Sequence, residues 1–135
     1  MAKVFVDTGG WVALFAGNDG RHSAAVGIFD RLRHDRATLY TSDYVVDETL
    51  TLIRSRVGHS AAMTAGQALF ESNLVKMVFI APDHIPGAWK IFGKFSDKNF
   101  SFTDASTLTV LNTLKIEKLF GFDAEFKKVG IELLP

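Results

Sequence analysis

Four acidic residues stand in this sequence at places where an α/β fold could bring their side chains together. Asp7 directly follows a short apolar segment, and Asp123 follows another one near the other end of the chain. Glu48 and Asp104 lie near the starts of two segments with helical patterning. Carboxylates are hard oxygen ligands, which suit Mg²⁺ and Mn²⁺. These residue types therefore point to a divalent-cation site, provided that the fold makes the four acids converge.

Each of these acids also has an ordinary structural explanation. Asp7 and Asp123 can cap the helical segments that follow them. Ser101 and Asp104 fit the S/T-x-x-D pattern of a capping box, and Glu48 can be a solvated helix residue. The occurrence of all four acids together favours a metal-binding role, because carboxylates gathered at one edge of a sheet repel each other and need a cation to offset their charge.

The elements that must position these acids alternate along the chain. Apolar, β-branched segments predict strands over residues 3–6, 37–41, 75–80, 119–122 and 131–134. Helical spacing predicts helices over residues 11–15, 21–35, 42–57, 60–73, 82–95 and 101–114, with a helical turn over 124–128. This alternation predicts a single α/β domain over residues 1–135, with a central parallel β-sheet of about five strands and helices on both faces. Such sheets place their sites at the carboxyl ends of the strands, where the acids would meet.

The composition excludes several other chemistries. The chain has 135 residues, of which 47% are hydrophobic, so it can bury one core. It has no cysteine, which excludes a disulfide framework, a thiol nucleophile and a cysteine-ligated zinc or iron–sulfur site. Its 15 basic and 15 acidic residues give no net charge, so nucleic-acid binding would require a local patch. Because neither a signal peptide nor a membrane-spanning run is predicted, we expect a cytoplasmic protein.

The stretches around the four acids match a known family in their order. The first is Val-Phe-Val-Asp-Thr at residues 4–8, and the second is Val-Val-Asp-Glu-Thr-Leu at residues 45–50. The third is Ser-Asp-Lys-Asn-Phe-Ser-Phe-Thr-Asp-Ala at residues 96–105, and the fourth is Phe-Gly-Phe-Asp-Ala-Glu-Phe at residues 120–126. Together they span nearly the whole chain. The sequence resembles the PIN-domain ribonucleases, the fold of the VapC-type toxins of toxin–antitoxin pairs.

This resemblance implies a specific function. A PIN-like nuclease hydrolyses RNA phosphodiester bonds with Mg²⁺, for which Mn²⁺ can substitute. The resemblance also implies the toxin of a type II toxin–antitoxin module, with RNA as substrate, a cognate antitoxin protein as partner, a homodimer and no membrane. The family's acidic quartet, which is both catalytic and metal-binding, falls on Asp7, Glu48, Asp104 and Asp123.

Further residues are candidates for supporting roles. The resemblance places Thr8 and Thr103 where the family has hydroxyls that support the site. Arg54 and Arg56 share a helix with the second acid and are candidates for contacts with RNA phosphates. Gly121 departs from the family pattern, which often has Thr or Ser two residues before the last acid.

Three other functions compete with a nuclease. A phosphatase with the first-strand Asp as nucleophile typically has a second acid two residues later, where Gly9 stands. A receiver-like signalling module would need a phospho-acceptor after a middle strand, where only Asp83 is available. A degenerate PIN domain that binds RNA or protein without catalysis stays open, because a fold does not by itself establish an activity.

Overall fold

The computed structural model describes residues 2–135, which form a five-stranded parallel sheet surrounded by helices. The strands are β1 (Lys3–Val6), β2 (Thr38–Ser42), β3 (Val75–Val78), β4 (Lys118–Phe120) and β5 (Glu132–Leu133). The helices are α1 (Thr8–Phe15), α2 (His22–His34), α3 (Asp43–Arg56), α4 (His59–Glu71), α5 (Ile85–Lys94) and α6 (Phe102–Leu114). Two 3₁₀ segments cover Pro82–His84 and Ala124–Val129. Between residues 2 and 135, none of the helices combines the length and the apolar character needed to cross a lipid bilayer.

Strand β1 is the centre of the sheet and is covered on both faces. Val4, Phe5 and Val6 are all fully buried. Successive side chains of a strand point to opposite faces, so helices must pack on both sides of β1. The predicted α/β fold with a parallel sheet of about five strands is confirmed.

The order of the strands creates a crevice beside β1. The sheet has the order β3-β2-β1-β4-β5, so the chain first winds outward from β1 to β3 and then crosses to β4 on the other side of β1. Where the winding reverses, the connections leave the carboxyl edge in opposite directions, and open α/β sheets bind ligands in the resulting crevice. Asp7 follows β1 directly, and its N–H donates a 2.9 Å hydrogen bond to the carbonyl of Phe120 at the end of β4.

Helix α1 packs closely over this edge of the sheet. The Trp11 Nε1–H donates to Thr41 Oγ1 at 3.0 Å, and the Thr41 hydroxyl donates to the Val6 carbonyl at 3.0 Å. All three residues are buried, where an unpaired indole N–H would cost free energy. Gly10 permits the close approach, because a Cβ at this position would lie 2.6 Å from the Phe120 carbonyl oxygen.

Several element boundaries differ from those predicted, among them the start of α1, which begins at Thr8 instead of at residue 11. Strand β4 ends at Phe120, two residues earlier than predicted. Strand β3 ends at Val78 rather than at Ile80, whose N–H donates to Asp43 Oδ1 at 2.8 Å instead of to a neighbouring strand. The helix predicted over residues 82–95 is divided into a 3₁₀ segment and α5, because two prolines near its start remove backbone donors.

Candidate active site

The four predicted acids line one pocket of about 430 Å³ at the carboxyl edge of the sheet. Asp7 comes from the end of β1 and Asp123 from the segment after β4, whereas Glu48 and Asp104 come from the first two turns of α3 and α6. The structure therefore brings together all four residues that the sequence singled out. The remaining lining residues are Thr8, Gly9, Val12, Asp19, Arg21, Leu52, Arg56, Ser101 and Phe122.

Asp7 is a buried acid without a capping role. Its side chain is 5% exposed and makes no capping hydrogen bond to α1, and its Oδ1 has no hydrogen-bond partner within residues 2–135. Burial raises the pKa of Asp7 from 3.8 to about 7, with repulsion from Asp104, Glu48 and Asp123 acting in the same direction and the Thr8 N–H acting against it. Strongly perturbed acids in clefts are candidates for function, because an unpaired buried carboxylate is costly to keep.

Asp104 is both a helix cap and a pocket residue. Its Oδ2 accepts a 2.9 Å hydrogen bond from the Ser101 N–H, and Ser101 Oγ accepts a 3.0 Å bond from the Asp104 N–H. This is the capping box that the sequence pattern indicates. Burial raises the pKa of Asp104 to about 6, and repulsion from Glu48 and Asp123 contributes, although the hydrogen bonds from Ser101 lower it. Capping thus holds the carboxylate in position without removing it from the pocket.

Asp123 and Glu48 reach the pocket in different ways. Asp123 Oδ1 caps the following 3₁₀ segment by accepting a 3.0 Å bond from the Glu125 N–H. Glu48 is half-buried on α3, whereas its neighbour Asp47 is exposed and does not line the pocket. Ser42 caps α3 and so fixes where this helix begins, which sets the face that each later residue occupies.

The supporting residues predicted from the sequence are only partly near the pocket. Thr8 lines it, and within residues 2–135 its buried Oγ1 has no hydrogen-bond partner. Thr103 does not line it, and its carbonyl accepts a 2.6 Å bond from Ser106 Oγ. Arg56 lines the pocket and Arg54 does not. The roles assigned to these four residues stay predictions.

Two charged residues that line this pocket were not predicted from the sequence. Asp19 and Arg21 lie in the turn between α1 and α2, which carries no apolar periodicity. The signal that could have found them is the Gly-Asn-Asp-Gly run at residues 17–20, because such a turn after a strand–helix pair lies close to the carboxyl edge of a sheet.

The donors in this pocket suit a hard divalent cation. Within residues 2–135, no group of three or more carboxylates or imidazoles forms a ready-made metal-ligand cluster. The unpartnered Asp7 Oδ1 and Thr8 Oγ1 are nevertheless buried oxygen atoms at one place. A bound cation would offset the cost of burying the charged carboxylate and its repulsion by the other acids, both of which raise the pKa of Asp7. The oxygen donors of the pocket therefore fit a hard divalent cation in their chemistry.

Comparison with known proteins decides the family. The family model described as "PIN domain" matches residues 4–132. The chain belongs to the PIN-domain family. This PIN domain is 32% identical over 133 residues to the 23S rRNA-specific endonuclease VapC20 of Mycobacterium tuberculosis, covering 98% of each chain. The crystal structure of VapC20, described as a Sarcin-Ricin loop cleaving toxin, matches with a TM-score of 0.85 over 95% of both chains.

More distant relatives agree with this membership. A VapC ribonuclease of Archaeoglobus fulgidus is 26% identical over 123 residues, which are 90% of this chain and 77% of that protein. VapBC2 of Rickettsia felis, bound to a DNA fragment from its promoter, shares the fold with a TM-score of 0.73 at 9% identity, covering 98% and 97% of the two chains. The predicted resemblance to PIN-domain, VapC-type proteins is confirmed, and membership of this family argues against a phosphatase or a receiver-like module.

Proposed function

We propose that this PIN domain is a divalent-metal-dependent endoribonuclease and the toxin of a type II toxin–antitoxin module. The main support is the convergence of four carboxylates from four separate elements on one pocket. Capping accounts for Asp104 and Asp123, but it does not account for the buried Asp7 or for Glu48 in the second turn of α3. A shared ligand with positive charge accounts for all four.

The proposed metal site divides the four acids between two tasks. Asp7, Glu48 and Asp104 would hold the principal Mg²⁺ or Mn²⁺, and Asp123 would hold a second ion or position a water molecule. When bound, such a cation lowers the pKa of its water and neutralises charge on the phosphate. With the cation bound, the Thr8 hydroxyl, which has no hydrogen-bond partner within residues 2–135, would orient a neighbouring carboxylate, as outer partners do in metal sites generally.

The chain itself contributes rigid placement. The capping box between Ser101 and Asp104 restricts the carboxylate of Asp104. The backbone hydrogen bond from Asp7 to Phe120 ties the first acid to the β1–β4 pair. Small displacements of reacting groups cost large factors in rate, so these restraints are part of the catalytic arrangement. Without a cation, Asp7 is only partly ionised near neutral pH, because burial raises its pKa to about 7.

The substrate and the partner of this proposal follow from the same comparisons. VapC20 is named as specific for 23S rRNA, so a fragment of structured ribosomal RNA is the first substrate to test.

An apolar groove of about 220 Å³, lined by Leu14 and Phe15 of α1, Phe29 of α2 and Leu69 of α4, is the proposed contact for the antitoxin. A pocket of this size can take an apolar side chain of a docking helix. RNA and antitoxin would both meet the toxin in the cytoplasm.

The decisive experiment is cleavage of ribosomal RNA fragments by the purified chain with Mg²⁺, with Mn²⁺ and with EDTA. Glu48→Gln and Asp104→Asn should each lower kcat more than a hundredfold, because even outer partners of metal ligands cost about 10–100-fold. Asp47→Asn is the matched control, since it removes an exposed acid next to Glu48 that does not line the pocket.

Two results would contradict this function. Cleavage that persists in EDTA would remove the metal from the mechanism. A folded wild-type chain that binds Mn²⁺ and leaves every RNA intact would favour the degenerate PIN domain instead.

A further inference from the structure

Arg21 lines the acid pocket, yet it pairs with none of the carboxylates there. Five acidic residues and two arginines line this pocket. Within residues 2–135, the ion pairs join other residues, and the Arg21 guanidinium donates no hydrogen bond to a protein acceptor. Instead, its Cζ lies 5.1 Å from the centre of the Phe122 ring. A guanidinium beside several carboxylates normally forms a bidentate pair, so this arrangement leaves its donors available.

The backbone of Arg21 is held in place by the turn that carries it. Asp19 Oδ1 accepts a 2.8 Å hydrogen bond from the Arg21 N–H, and the Asp19 N–H donates to the Ala16 carbonyl at 2.9 Å. His22 Nδ1 lies 2.8 Å from the Ala13 carbonyl of α1, so this nitrogen carries the proton and donates it. Arg21 therefore enters the pocket from a turn that is fastened to α1.

The contact with Phe122 leaves the N–H donors of the Arg21 guanidinium free to bind a ligand. The Phe122 ring lies 5.1 Å from the guanidinium carbon, and the N–H donors, which make no hydrogen bond within residues 2–135, match two oxygens of a phosphate. Phe122 is in turn in edge-on contact with Phe120, with 6.4 Å between ring centres. Contact with the ring restricts an otherwise exposed side chain, which reduces the entropy that Arg21 loses on binding.

RNA that crosses this pocket needs a cation beside the acids. The scissile phosphate would go to the carboxylate site, but each flanking nucleotide brings another negative charge towards the same acids. Arg21 and Arg56 are the basic residues among the lining, and Arg21 is the one anchored on an aromatic ring. We propose that Arg21, held by Phe122, binds an RNA phosphate next to the scissile bond. This inference rests on the proposed ribonuclease function.

The test compares Arg21→Ala with a control variant, Arg33→Ala. Arg33 is an exposed residue of α2 that does not line the acid pocket. Arg21→Ala should raise KM about tenfold or more and change kcat little, because it removes a charged hydrogen bond made to the bound RNA. The slope of log affinity against log salt should fall by about 0.7 for one lost phosphate contact. Arg33→Ala should leave KM unchanged.

Two further variants separate charge from position. Arg21→Lys should restore the salt slope but only part of the affinity, since lysine neither stacks on the ring nor forms a bidentate contact. Phe122→Leu keeps an apolar side chain and leaves Arg21 unsupported, so KM should rise while the salt slope falls less than in Arg21→Ala. Circular dichroism verifies that both variants are folded.

Binding measured without cleavage keeps this inference separate from the nuclease proposal. Fluorescence anisotropy of the same RNA, with Asp7→Asn as background, reports affinity in a protein that the proposed function makes inactive. If Arg21→Ala binds as tightly as Arg33→Ala in this background, the inference is wrong even when the wild-type chain cleaves. If Arg21→Ala weakens binding without changing the salt slope, the contact is to a base, and the phosphate assignment is overturned. If the slope falls but the wild type cleaves nothing, the phosphate contact is supported and the nuclease proposal fails.

Discussion

Replacing Asp7 by asparagine should stabilise the metal-free protein at alkaline pH and destabilise it at acid pH. The pKa of Asp7 is raised from 3.8 to about 7, chiefly by burial and next by repulsion from Asp104. The folded protein therefore holds this proton more tightly than the unfolded chain does. Stability that depends on the proton is complete below a pH of about 4 and is lost as the pH rises through 7.

The size of this effect follows from the same values. A pKa that rises from 3.8 to about 7 corresponds to about 4 kcal/mol of unfolding free energy, lost between acid and alkaline pH. Asp7 is 5% exposed, so solvent screens little of it. The asparagine avoids this loss but buries an amide, at a cost of about 1–3 kcal/mol. Asp7→Asn should thus gain about 1–3 kcal/mol near pH 8 and lose a similar amount near pH 4.

Thermal unfolding in EDTA at the two pH values measures this difference. For a chain of this length, each kcal/mol moves Tm by about 4 °C. Asp47→Asn is the control, because it removes an exposed charge. Mn²⁺ at about a hundred times its Kd should add about 2.7 kcal/mol to the wild type near pH 8 and much less to Asp7→Asn.

The decisive observation is whether the effect of Asp7→Asn on the free energy of unfolding changes sign between about pH 4 and pH 8. If Asp7→Asn is less stable than the wild type at both pH values, Asp7 is not a strained acid, and its burial is compensated by contacts with the rest of the fold. If Mn²⁺ stabilises both proteins equally, Asp7 is not a ligand.

The remaining predictions concern packing, capping and the hydroxyls. Gly10→Ala should lower the free energy of unfolding by about 1–3 kcal/mol, because its Cβ would lie 2.6 Å from a carbonyl oxygen of β4. Gly27→Ala, in open space on α2, should raise the free energy of unfolding by about 0.5–1 kcal/mol. Urea titrations measure both changes, and a change of the same sign in both variants would contradict the close approach at Gly10. Ser101→Ala should cost about 1 kcal/mol in the same titration and Ser101→Thr much less, whereas no loss for the alanine would show that α6 does not need this cap. Calorimetry should show that Thr8→Val weakens Mn²⁺ binding about tenfold and Thr103→Val less, since Thr103 does not line the pocket; the opposite order would move the supporting role to Thr103.

Apolar spacing was enough to predict the elements, but it did not predict where they end. The strand predicted to end at Phe122 ends at Phe120, because the apolar pattern continues after the hydrogen-bonded ladder has stopped. At Gly121 the chain turns towards the pocket, and a Cβ there would lie 3.1 Å from Asp7 Cβ. Helix α3, in contrast, ends within one residue of its predicted end, because Gly58 has a φ of +148° that other residues rarely adopt.

The acids of the site were predictable because each lies next to an element boundary that the sequence marks. Asp7 follows a buried strand, and Asp104 belongs to a capping box, both of which are local patterns. Arg21 was harder to predict, because only the Gly-Asn-Asp-Gly run at residues 17–20 marks its turn and the ring that it contacts is distant in sequence. The order of the strands was equally hidden, since nothing local indicates that β4 rather than β3 lies beside β1.

The pairing of β1 with β4 also determines when the pocket can exist. Val6 near the start of the chain is in register with Phe120, and Asp104 and Asp123 come from the last elements to be synthesised. A domain folds as a unit, so the sheet cannot close around β1 until β4 has been synthesised. A nascent chain therefore presents Asp7 and Glu48 long before it has the other two acids. Under the proposed function, the toxin stays harmless while it is being made, in the presence of the ribosome whose RNA it would cut.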